Sequence, residues 1–274
     1  VRQVRRLHEK LFYRPLLNAV ARLDSGDARL SLEAASERLT ALGYLDPEGA
    51  LRHIEALSSG ISRRAAIQRT LLPVLLGWFA DAPNPDVGLL GFRRVSEELG
   101  GTPWYLRLLR DESETAERLA HLLSASRLAT DLLLRAPEVV GLLSDVKELE
   151  PKSLEDLLRE MSATAMRYDE PDRAVQAIRT VRSRELFRVA AADANGLLGV
   201  PGVCQALSDI SDATISVALQ IAVASVEATL GSRLPTRFSV IAMGRLGGQD
   251  VGYSSDADAI FVHDPLPGAD EATA

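Results

Sequence analysis

Asp256 and Asp258 are the residues whose types and spacing lend themselves most directly to chemistry. They stand one residue apart in Gly252-Tyr253-Ser254-Ser255-Asp256-Ala257-Asp258, downstream of the glycine-rich stretch Gly244-Arg245-Leu246-Gly247-Gly248. On an extended strand, residues two apart point to the same side, about 7 Å apart along the backbone, so two carboxylates can share hard divalent cations. Mg²⁺ favours such oxygen ligands together with water and substrate phosphates. A turn with glycine at three of five positions lets backbone amides approach a phosphate; Arg245 adds a cation, and Ser254 and Ser255 can donate hydrogen bonds. The pattern points to phosphoryl or nucleotidyl transfer assisted by Mg²⁺.

Two short apolar runs must position these groups, Phe238 to Met243 and Ala257 to Val262. Their length, bounded by Pro235, glycines and Asp264-Pro265, predicts strands rather than helices, with both aspartates on the second strand. His263 has the opposite parity and is expected to be structural. Tyr253 can stack on a base or simply pack. Asp264 shares the parity of the pair but lies about 20 Å further along a straight strand, and Asp270 and Glu271 sit in a polar tail, so none convincingly supplies a third carboxylate.

Gly244-Arg245-Leu246-Gly247-Gly248 followed by Gly252-Tyr253-Ser254-Ser255-Asp256-Ala257-Asp258 resembles the active-site signature of the glutamine synthetase adenylyltransferases, within the nucleotidyltransferase superfamily. Eleven residues separate Gly244 from Asp256, the interval of that signature. The superfamily usually has Gly-Ser where this chain has Gly244-Arg245, and Asp250 stands where this branch usually has Glu. LHEKLFYRPLL near the start resembles the segment closing the first catalytic half of actinobacterial-type members, and Arg179 to Asp193 resembles the helix before a catalytic domain. The resemblance implies a piece of a longer protein, spanning the central region and the opening of the second half. That half attaches AMP from ATP to a tyrosine of glutamine synthetase, while the first removes it by phosphorolysis.

On this resemblance Asp256 and Asp258 are the catalytic and metal-binding residues for Mg²⁺, and Gly244, Arg245, Gly247, Gly248, Ser254 and Ser255 bind the nucleotide. Glutamine synthetase is the protein substrate, and a PII-type signalling protein is a candidate regulator. Lacking a third carboxylate, the chain by itself is expected to bind nucleotide weakly and not to catalyse. An alternative from another class is a non-catalytic helical module that passes regulatory signals between two nucleotidyltransferase halves. A uridylyltransferase of a signalling protein fits the motif wording less well.

The 274 residues, 46% of them hydrophobic, suffice for one large or two ordinary domains. Scarce aromatics with abundant Leu, Ala, Arg and Glu favour helix. A net charge of −7 argues against a nucleic-acid-coating surface. The single Cys204 excludes a disulfide framework and suits a reducing cytoplasm. Its place near a helix start could lower its pKa. The longest uncharged stretch, Ala213 to Val226, falls short of the roughly 20 residues of a membrane span, and the first residues do not read as a charged-then-apolar leader, so none is expected. A soluble cytoplasmic protein is expected, with neither nucleic acid nor membrane as partner.

The expected fold is mainly α, a helical region followed by the opening of an α+β nucleotidyltransferase fold with a short, incomplete mixed sheet. Residues 1–145 form the helical central region, with 1–23 closing a preceding domain, and 151–274 form a helical preface and the start of the nucleotidyltransferase domain. Helices are expected from Ser31 to Leu42, Asp46-Pro47 to Leu57, Ser62 to Phe79 with a kink or break at Pro73, and Val87 to Leu99. Short helices follow from Thr102-Pro103 to Leu109, Ser113 to Leu123, Ser126 to Leu134 and Pro137 to Leu143. Longer ones run from Ser153 to Tyr168, Pro171 to Ala192 and Cys204 to Leu230. Arg179, Arg182, Arg184 and Arg188 are expected on a solvated helix face, and Trp78, Trp104 and Tyr105 in the core.

Overall fold

The computed structural model describes residues 32–269 apart from 103, 106, 107, 110 and 111. The expectations for the N-terminal helix, for residues 270 and 271 and for part of the helix after Thr102 lie outside them. Two compact units, Val1–Leu149 and Glu150–Ala274, divide the chain.

In the first unit the helices are α1 (Leu32–Ala41), α2 (Pro47–Ser58), α3 (Arg63–Ala80), α4 (Pro85–Leu99), α5 (Ser113–Ala125) and α6 (Arg127–Arg135). Local sequence sets their starts. Asp46, Ser62, Asn84 and Ser126 each accept a hydrogen bond from the backbone amide three residues on, at 2.9, 3.2, 3.1 and 3.1 Å. Each such cap is worth about 1 kcal/mol. Pro47 and Pro85 occupy first turns, where a missing N–H costs nothing. The helices close on Phe79, Leu89, Phe92, Leu119, Leu122 and Leu133, all fully buried.

The expectations for Pro73 and Trp104 are corrected in this unit. Helix α3 runs through Pro73 without the break that was one of the two expected outcomes, because Leu72, Leu75 and Leu76 around it are buried and their packing offsets the lost helical bond. The short helix expected from Pro137 is present as a 3₁₀ helix, Pro137–Ser144, followed by another at Val146–Leu149. Trp104 is part-exposed, whereas Tyr105 is fully buried with its hydroxyl 3.1 Å from that of Ser96.

The second unit packs α7 (Leu154–Ala165), α8 (Pro171–Ala194) and α9 (Val200–Leu230) around Leu157, Met161, Ile178, Val181, Leu207, Ile210 and Val217. Helix α9 begins four residues before the expected Cys204, because Pro201 suits a first turn, and it ends at Gly231 with φ 67°. By length and composition this 31-residue helix could cross a membrane, a property that its uncharged run alone understated. Its buried positions, Val203 to Val217, pack into the helical core.

Strands β1 (Thr236–Ala242) and β2 (Ala259–Pro265) then pair antiparallel, from Thr236 opposite Pro265 to Ala242 opposite Ala259. The mainly α architecture with a short sheet is the expected one. Among the described residues the sheet is two-stranded and antiparallel rather than mixed.

Candidate functional site

The corner between the strands is built by glycine. Met243 donates to the Asp258 carbonyl at 2.8 Å, the last rung of the ladder. Gly244 then turns the chain with φ 53°, a left-handed conformation that costs a residue with a side chain about 1–2 kcal/mol. One helical turn, α10 (Gly244–Gly247), follows, closed by Gly247 donating to Met243 O at 2.8 Å. A methyl group on Gly244 would overlap the Asp258 carboxylate, and one on Gly247 would come within 2.5 Å of the Ala242 carbonyl. These two glycines are therefore required by the loop's own packing. Leu246 and Val251, both buried, root the loop in the core of α7, α8 and α9.

Asp256 and Asp258 lie in irregular chain just before β2, not on the strand itself. The strand begins at Ala259 because β1 has turned away at Gly244 and offers no further partner. A strand pleat thus does not set the spacing of the two carboxylates. Both residues are exposed, and among the described residues neither side chain has a hydrogen bond or an ion pair. An unpaired pair of acids, one of them packed on a glycine corner, suits Mg²⁺, which takes one or two carboxylates and completes its shell with water and phosphate oxygens. Among the described residues no group of three or more Asp, Glu, His or Cys side chains converges.

The other candidates divide. Ser254 is exposed, whereas the Ser255 hydroxyl accepts from the Gly252 amide at 2.9 Å and the Ser255 amide donates to Gly252 O at 3.0 Å, closing a turn. Arg245 remains 59% exposed but donates through Nε to the Asp250 carbonyl at 2.7 Å, so part of its guanidinium braces the loop. Gly248 ends the short helical turn. Asp264 pairs with Arg237 at 2.7 Å across the ladder. His263 stands beside Thr236, 3.3 Å from its hydroxyl, on the exposed sheet.

Two long-range contacts tie the loop to the helices. Cys204 on α9 donates to Asp250 at 3.3 Å. That hydrogen bond, with desolvation and the carboxylate's charge, raises the thiol pKa, contrary to the lowering expected from a helix start. The Tyr253 hydroxyl donates to Asp193 on α8 at 3.1 Å. Burial, and then the Asp193 charge, push the phenol above its ordinary range.

Of the four α8 arginines expected on a solvated face, Arg179 is exposed, Arg182 and Arg184 are part-buried and Arg188 is buried, so the expectation is corrected for the last three. Arg188 pairs with Glu185 at 2.7 Å, and both are almost fully buried. Arg184 reaches Glu185 and Glu160 at 2.7 Å, and Lys152 reaches Glu160 at 2.6 Å. Burial works against charge on Glu160, yet the hydrogen bonds from Lys152 and Arg184 prevail and lower its pKa. Arg182 is half-buried, its pKa lowered by desolvation and by Arg179.

The model of the family "Glutamate-ammonia ligase adenylyltransferase" matches residues 116–274. A Streptomyces coelicolor protein named bifunctional glutamine synthetase adenylyltransferase/adenylyl-removing enzyme is 57% identical over 286 residues, covering 99% of this chain and 28% of that protein. Proteins of the same name from Nocardia farcinica and Mycobacterium bovis are 50% and 45% identical, each over 99% of this chain and 27% and 28% of their own lengths. The chain thus spans little more than a quarter of these curated relatives.

Proposed function

The chain belongs to the glutamate-ammonia ligase adenylyltransferase family, and on that premise we propose that residues 244–258 form the nucleotide corner of a protein adenylyltransferase acting on glutamine synthetase. The supporting observation is the unpaired Asp256 and Asp258 set against a glycine turn that is rooted in a helical core. The chain works within a protein of its relatives' length, whose shared name carries both adenylyl transfer and adenylyl removal.

Asp256 and Asp258 would hold Mg²⁺, which neutralises charge on the triphosphate and on the departing pyrophosphate. Gly244 keeps the Asp258 carboxylate close to the turn. The Arg245 guanidinium, braced at Nε, offers its exposed end to phosphate. Ser254 offers a free hydroxyl at the same edge, and Ser255 fixes the bend that leads into the acids. The attacking group is a tyrosine hydroxyl of glutamine synthetase, so no covalent intermediate forms on this chain. The reducing cytoplasm suits both the lone Cys204 and this substrate.

The test is transfer of labelled AMP from ATP to glutamine synthetase by the full-length protein. Asp256→Asn and Asp258→Asn, each isosteric and unable to take a full negative charge, are expected to lower the rate at least 100-fold. Activity within twofold of wild type in the double variant would overturn the proposal.

A further inference from the structure

Tyr253 is the side chain of the 252–258 segment that leaves it for a distant element. The Gly252–Ser255 turn is closed locally by two hydrogen bonds. Beyond that turn, the Asp258 end is held by the Met243 amide. Between these fixed points the backbone at Asp256 is irregular and exposed. The Tyr253 hydroxyl crosses to Asp193, sixty residues earlier, at 3.1 Å.

Asp193 is an unusual acceptor. It stands in the last turn of the 24-residue helix α8, where the macrodipole disfavours an anion. Asp193 is exposed, and the phenol gives its carboxylate a protein donor beside the solvent. Arg188, Glu185 and Arg184, one to three turns back along α8, are joined by part-buried ion pairs that also reach Glu160 on α7 and so tie the helix to its neighbour. Tyr253 thus ties irregular chain to a helix that is anchored in the core of the unit.

We infer that Asp193 is a positioning residue for the site, holding through the Tyr253 hydroxyl the segment that carries Asp256. The inference rests on the reading of Asp256 and Asp258 as metal ligands. Neither Asp193 nor Tyr253 is assigned a contact with the reacting atoms. Their role is to narrow the range of positions open to Asp256, so that metal and nucleotide meet a pre-set ligand.

The experiment compares Tyr253→Phe, Asp193→Ala, Asp193→Asn and the Tyr253→Phe/Asp193→Ala double variant of the chain. Binding of Mn²⁺ with ATP is followed by the loss of the free-ion resonance signal, and loop order by hydrogen exchange at the Met243 and Gly252 amides without ligand. Tyr253→Phe and Asp193→Ala are each expected to weaken Mn²⁺–ATP binding and speed exchange about fivefold, as for loss of one partly solvated hydrogen bond to a charge. Thermal midpoints should hardly move. Asp193→Asn, which keeps an acceptor oxygen, should recover most of the binding, and the double variant should be no worse than either single one.

Wild-type binding and exchange in Tyr253→Phe, or single effects that simply add, would overturn the inference. Asp256→Asn separates it from its premise. Binding lost in Asp256→Asn but intact in Tyr253→Phe refutes the positioning role alone. Binding indifferent to Asp256→Asn refutes the metal-ligand reading and the inference with it.

Discussion

Gly244→Ala probes the corner where backbone geometry and the proposed metal site coincide. Two costs arise from one methyl group. The φ of 53° would be held by a residue with a Cβ, at about 1–2 kcal/mol. The methyl would also overlap the Asp258 carboxylate, so either the carboxylate swings away or the turn opens. If the turn opens, the rung from Met243 to Asp258 is strained as well, for a total of about 2–3 kcal/mol. If the carboxylate swings, stability falls by only the first cost and the loss appears in binding. A displaced ligand worth 1.4 kcal/mol is a tenfold change in affinity, so Mg²⁺-dependent ATP affinity should drop about tenfold or more. Calorimetric titration with ATP, with and without Mg²⁺, reads the binding, and urea unfolding reads the stability. Gly252→Ala is the control, since its methyl would stand 3.5 Å from the Ser255 hydroxyl, an ordinary contact. Wild-type stability together with wild-type Mg²⁺-dependent affinity in Gly244→Ala would show that neither the turn nor the Asp258 carboxylate depends on a bare Cα at position 244.

Leu246→Ala removes a buried anchor of the same loop and should cost about 2–4 kcal/mol in urea unfolding. Arg188→Ala leaves Glu185 buried with Arg184 still attached, and a loss of about 3 kcal/mol is expected, at the low end for breaking a buried pair. Glu160 has a lowered pKa in the folded chain, so its contribution is complete above its ordinary value of 4.5 and is lost as pH falls from there through the folded value. Unfolding midpoints measured from pH 6 to pH 3 should fall less steeply in Glu160→Gln than in wild type. Cys204 should react slowly with iodoacetamide at neutral pH, and Asp250→Asn, by removing the charge that its thiol faces, should speed that reaction.

Features decided by neighbours in sequence were legible in advance. Asp46, Ser62 and Ser126 cap helices because a short polar side chain reaches an amide three residues ahead, a relation that needs no tertiary structure. Glycine spacing and the acid pair marked the candidate corner for the same reason. What escaped was set by packing at a distance. Pro73 reads as a break until the buried leucines around it are seen. The start of β2 depends on where β1 stops, which the turn at Gly244 decides. The partners of Tyr253 and Cys204 lie 60 and 46 residues away, and Arg188 looks solvated until Glu185 is found buried beside it.

Whether Asp256 and Asp258 together hold a metal-bound nucleotide is tested by titrating ATP into the chain with and without Mg²⁺, for wild type and for the Asp256→Asn/Asp258→Asn variant. A Mg²⁺-dependent gain in affinity is expected in wild type and should vanish in the variant while the thermal midpoint stays unchanged. A gain of equal size in both proteins would contradict that assignment.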